Sequence, residues 1–148
     1  MDDCPGQSWF AYYKENMDQI YMTLTETIDG TFKMVMGDIL YLMSFHEKYG
    51  SKVTVADLRG AGTMKDAAKV LAAIGSAGYL GAMIGSAAVA TGRYGACGSY
   101  IIDAFAFARM HNLDRPWLIS HLQRHPEIYT PNHPARGMYA RFGRGSLA

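Results

Sequence analysis

His121 and His125 stand four residues apart in the run His121-Leu122-Gln123-Arg124-His125, so a helix carries both imidazoles on one face. That spacing suits two ligands of a zinc ion, which needs three or four ligands with hydrogen-bonded support behind them. His111 and His133 are further imidazoles, but no Cys or Glu is spaced to complete a set. Gln123 occupies the place where a metalloprotease-type site needs a catalytic acid. Cys97 paired with any of the histidines would make a nucleophile and base, yet nothing in the surrounding sequence supports it. We therefore expect no catalytic residues, no metal and no cofactor, and read the chain as not an enzyme. A small enzyme built on the histidine-containing C-terminal third is kept as a third hypothesis.

Asp103 is the single charge in the apolar stretch from Tyr94 to Ala108. In a membrane it would be costly, and so functional, lining a pore or sensing pH. Outside one it pairs with Arg93 or Arg109, or faces water.

The elements that must position these groups are helical. Trp9, Tyr12, Tyr13, Met17, Ile20, Leu24 and Ile28 recur at three or four residues, leaving Lys14, Asp18 and Glu26 for the opposite face. After the weak point Asp29-Gly30 the pattern resumes with Phe32, Val35, Met36, Ile39, Leu42, Met43 and His46, and stops at Lys48-Tyr49-Gly50. This predicts one kinked helix or two consecutive ones over residues 9–48. Met34, Met36 and Met43 read as core filler, with an adaptable binding groove as the alternative. Val53-Thr54-Val55 has no partner strand, so a turn or short helix is expected there. Thr63 with Asp66 resembles a capping box that opens the next helix.

Between Lys69 and Arg93 run 23 residues without a charge. A helix of about 20 residues crosses a bilayer core, although Gly and Ala outnumber Leu, Ile and Phe here. With the stretch after Tyr94, the segment predicts a helical hairpin over residues 63–110 that turns near Gly92-Arg93-Tyr94-Gly95. Residues 112–148 predict a short helix, capped by Asn112 or Asp114 with Pro116 in its first turn, and an irregular Pro/Gly tail. The fold class expected is all-α: a helical bundle in one domain around this Gly/Ala-rich hydrophobic hairpin.

Gly78, Gly81, Gly85, Ala88 and Gly92 fall three, four, three and four residues apart. On a helix they form one strip nearly free of side chains. Each Gly costs about 1 kcal/mol against Ala in a helix interior, so close backbone approach by another helix must offset them. These five positions, with Asp103, are the expected packing or membrane residues. Arg93 and Arg109 are the expected basic contacts to a membrane surface.

Composition narrows the partners. Hydrophobic residues make up 49% and charged residues 18%, too apolar for a disordered chain. Residues 1–50 hold eight acids and three lysines, and the remainder eleven bases and five acids. The halves attract each other, or the basic half meets anionic phospholipid. No dense basic cluster alternates with aromatics, which excludes nucleic acid as the expected partner. Cys4 and Cys97 are the only cysteines. Their spacing matches no disulfide framework, and Cys97 reads as a buried thiol in a protein made in a reducing cytoplasm without a signal peptide.

The glycine spacing and the acidic amphipathic part ahead of it resemble the glycine-zipper and hydrophobic-hairpin domains of bacterial effectors, including those delivered by type VI secretion. The resemblance covers roughly residues 63–110 and carries no catalytic residues. It implies a bacterial antagonism domain that forms a pore or helps translocation, delivered to a target-cell membrane. Residues 9–46 would mask the hairpin until it meets lipid, with oligomers on the membrane as an open option. The competing expectation is a soluble helical module that binds a helical protein partner: an adaptor, an immunity protein or a secretion-loading component.

Overall fold

A computed structural model describes residues 7–20, 31–49, 67–99 and 102–139. The protein is all-α. The described residues form α1 (Trp9–Gln19), α2 (Phe32–Tyr49), α3 (Ala67–Gly95), α4 (Ala104–Met110) and α5 (Pro116–Arg124). Two short 3-10 turns follow, Pro126–Ile128 and Arg136–Met138. The expectations for Asp29-Gly30, Val53-Thr54-Val55 and the Thr63 capping box lie outside the described residues.

Each helix boundary has a local cause. Ser8 caps α1, its hydroxyl accepting from the amide of Ala11 at 3.1 Å, and Thr31 does the same for the amide of Met34 at the start of α2. At the end of α3 the amide of Gly98 reaches back to the carbonyl of Arg93 at 2.8 Å. This is a Schellman-type closure, with Cys97 itself in the left-handed region at φ 54°. α4 closes the same way: the amide of Leu113 meets the carbonyl of Ala108 at 2.8 Å and Asn112 takes the left-handed position. Pro116 occupies the first turn of α5, where its missing N–H costs nothing.

α3 is the axis of the core. Every residue from 78 to 90 is buried. α1 brings Tyr12, Tyr13, Met17 and Ile20 against it, α2 brings Val35, Ile39, Leu42 and Met43, and α5 brings Leu118 and Leu122. Surrounding one helix on several sides permits the near-continuous apolar run that its sequence shows.

Four expectations are corrected by the structure. The turn near Gly92–Gly95 is displaced, because α3 continues through Gly95 and the chain reverses at residues 96–98. The second hairpin arm is not one apolar helix: after α3 closes, only seven residues form α4. Neither Asn112 nor Asp114 caps α5; Arg115 is its N-cap residue, without a side-chain cap bond. The C-terminal tail is also more ordered than expected through residue 139, with Ile128, Arg136 and Tyr139 buried.

Candidate functional site

The glycine strip faces the C-terminal part of the same chain. A Cβ built on Gly81 would lie 2.4 Å from Cδ2 of His121, and one on Gly85 would lie 2.4 Å from Cγ2 of Ile128. Leu122 also approaches Gly85, at 3.7 Å from that Cβ position. α5 and the first 3-10 turn therefore sit on α3 at a depth that any side chain at these two positions would obstruct. Gly78 joins the contact through its backbone, its carbonyl accepting from the hydroxyl of Tyr139 at 2.5 Å. Ala88 is buried and Gly92 half-buried.

His121 and His125 come together as the sequence implies, their rings 4.4 Å apart between centroids. His121 Nε2 lies 2.7 Å from the Tyr139 hydroxyl. That hydroxyl has one proton, directed to the Gly78 carbonyl, so His121 Nε2–H is the donor to Tyr139. Burial lowers the His121 pKa to about 4, with the positive fields of His125 and Arg124 adding to it. Burial also pushes the Tyr139 phenol well above its usual range, helped by Glu127. Both groups are neutral at pH 7, as a close-packed polar relay requires.

His125 is held differently. Its Nδ1 lies 2.8 Å from Oε2 of Glu127, whose side chain is 10% exposed against 31% for His125. Among the described residues, no three His, Cys, Asp or Glu side chains are grouped to hold a metal ion.

A second polar cluster lies deeper. Arg136, 7% exposed, donates from Nη1 to the carbonyls of Glu127 and Ile128, each at 3.1 Å. Its Nη2 donates to Oδ1 of Asn16 and to Oε1 of Gln19 on α1. Asn16 in turn donates to Ser86 Oγ on α3 at 2.8 Å and to the Ile128 carbonyl at 2.9 Å. One guanidinium thus joins the C-terminal segment to α1, and one amide joins both to α3. The sequence reading placed Arg136 in a basic, irregular tail and did not single out Asn16. Asn16 was detectable, since it falls between Tyr12, Tyr13, Met17 and Ile20 on the apolar face of α1. Arg136, flanked by Pro134 and Gly137, has no periodicity to mark it.

The remaining expected residues are dispersed. Asp103 is exposed and N-caps α4, accepting from the amide of Ala106 at 2.9 Å; it does not sit within an apolar helix. Arg93, expected at lipid headgroups, pairs with Glu15 at 3.0 Å, lies 4.5 Å from the Tyr12 ring centroid and is 14% exposed. Arg109 is exposed in the last turn of α4. Cys97 is not a buried thiol: it is exposed and disulfide-bonded. Among the described residues no helix is long and apolar enough to cross a membrane.

α2 divides the methionines by face. Met43 is 2% exposed and Met34 48%. Met34, Leu40 and Tyr41 are exposed on the outward side of α2 together with Lys33 and Ser44, and Gly37 lies among them with nothing inside 4 Å of its Cβ position. Unlike Gly81 and Gly85, this glycine gains no contact from the described fold.

Comparison with protein families, with characterised proteins and with solved structures found no match.

Proposed function

We propose that the chain is a helical protein-binding module of the adaptor, immunity or secretion-loading kind, and that the outer face of α2 is its contact surface. The observation carrying this reading is the exposure of Met34 and Leu40 on either side of Gly37, whose Cβ position meets nothing within 4 Å. Exposed Met and aromatic side chains form adaptable contact surfaces, and a glycine among them lets a partner helix approach the backbone. Gly78, Gly81 and Gly85 of α3 are engaged within the chain and need no external partner. Photo-crosslinking from Met34, Gly37 and Leu40 in the producing cells tests this. A protein adduct of one defined mass is expected, lost in a Leu40→Glu variant that keeps the parent's helical spectrum and melting temperature. No protein adduct, or undiminished capture by Leu40→Glu, overturns the reading.

Action on membranes is the second reading. It draws on the continuity of α3, whose 29 residues include the whole uncharged run and span roughly 44 Å at the usual helical rise. Insertion would require α3 to exchange α1, α2 and α5 for lipid. Dye release from anionic liposomes between pH 4 and 8 tests this; no release at any pH in that range removes the reading. The disulfide at Cys97 favours an oxidising setting for either role.

A further inference from the structure

We propose that residues 116–139 form an acid-released latch over the glycine face of α3, and that His121, its ring tilted against that of His125, is the trigger. The inference does not depend on which partner, protein or lipid, the chain serves.

The latch is contiguous and rests on α3 at three places. Tyr139 bonds the Gly78 carbonyl, His121 lies on Gly81, and Ile128 lies on Gly85. Two of these contacts depend on backbone surfaces without side chains, so a small displacement there forfeits much of the dispersion contact. The two rings are the titratable part of the contact. Their centroids are 4.4 Å apart, and the edge of Tyr139 packs against both, at 6.0 and 5.4 Å.

The charges facing the pair are unevenly placed. On α5, Arg124 is a cation one residue before His125. From the first 3-10 turn, Glu127 bonds Nδ1 of His125. Arg136, from the second 3-10 turn, is held on the carbonyls of Glu127 and Ile128. α3 contributes no charged side chain between residues 77 and 92, and Asn16 on α1 is neutral. Glu127 is therefore placed against His125, whereas a proton on His121 meets a buried glycine backbone and the field of Arg124. Since His121 Nε2 already carries a proton for Tyr139, the added proton goes to Nδ1. The relay to Gly78 survives, and the net charge beneath the latch is what changes.

The sign follows from linkage. The imidazole is harder to protonate in the closed state than when free, so closure weakens as pH falls below 6.5 and stops weakening near 4. Between pH 7.5 and pH 4 the opening constant should rise about 150-fold, toward a limit of about 300-fold once both states are protonated, tenfold for each unit separating the two pKa values. Amide-exchange protection factors, corrected for intrinsic rate and compared at pH 7.5 and pH 4, read this directly. Protection in residues 118–128 should fall by about two orders of magnitude, and at both pH values it should lie below that of α1 and α2, which open only with the whole fold. The His121 ring, followed by NMR, should titrate together with the loss. A His121→Phe variant, which keeps a ring but no titration, should show the same protection at both pH values. The proposal is overturned if residues 118–128, α1 and α2 share one protection factor at both pH values, as exchange by global unfolding alone would give. It is equally overturned if the His121 ring protonates with the latch still protected, a comparison made on the wild-type chain whether or not the variant folds.

Discussion

Gly81 lies directly beneath the imidazole of His121, so close that a Cβ on the glycine would stand 2.4 Å from the ring. The relationship joins the central helix to the C-terminal unit, and it explains why a residue unfavourable to helices is placed in the middle of α3. What the glycine costs in helix propensity is offset by a contact that no other residue allows.

Substituting Gly81 by Ala should therefore destabilise the fold despite the better helix propensity of Ala. Displacing His121 costs roughly 1–3 kcal/mol, as overpacking in a filled core does, against a propensity gain of about 1 kcal/mol. Gly37→Ala provides the opposite case, because nothing lies within 4 Å of the new methyl. It should stabilise by up to about 1 kcal/mol. Urea midpoints of the two variants should move in opposite directions; equal shifts would refute the packing argument.

Arg136→Met should be among the most damaging single changes, lowering stability by about 3–5 kcal/mol. It removes the donor to the buried Asn16 side-chain oxygen and to the Glu127 carbonyl, while the Ile128 carbonyl keeps only its bond from Asn16. A double-mutant cycle with Asn16→Ala should give a coupling of about 1–3 kcal/mol, since the two side chains share one network. Independent, additive effects would contradict the observed bond.

Stability should decline on acidification in a defined window. The folded-state pKa of His121, about 4, lies below its ordinary value of 6.5. The unfolded chain then binds more protons between those values, and folding loses free energy as pH falls through that range. The loss totals about 3 kcal/mol at most, at 1.36 kcal/mol per unit. Denaturant titrations at pH 7.5, 5.5 and 4 should show this component removed in His121→Phe, leaving whatever the other groups contribute.

Cys97 should yield no free thiol when the unreduced protein is denatured and titrated. Reduction should cost about 2–5 kcal/mol. Two reactive thiols in the unreduced, denatured chain would contradict the bonded state.

Helix class was legible at the level of apolar spacing. Met17 and Ile20 on α1, and Val35, Ile39, Leu42 and Met43 on α2, lie on the faces their three-and-four periodicity marks, because one turn of helix dictates that spacing. The helix ends after α3 and α4 were harder to read. Cys97 and Asn112 take the left-handed conformation that usually advertises itself as glycine, and Gly92 and Gly95, which do resemble a stop, lie inside α3. Asp103 is ambiguous in the sequence for a related reason: a lone acid in an apolar stretch looks the same whether it caps a helix and faces water or lies within one.

The sequence by itself determined that this protein is helical, that its central segment is apolar and free of charge, and that a strip of that segment lacks side chains. These are local properties, set by residue type and by the period of the helix. Only the tertiary structure decided what fills the strip: His121 and Ile128, from a region whose prolines and glycines carry no pattern. It also decided that Arg136 is a buried tie to Asn16 and not a solvated charge. Contacts between residues 40 or 120 positions apart depend on how whole elements pack, and hydrophobic periodicity holds no information about which partner arrives.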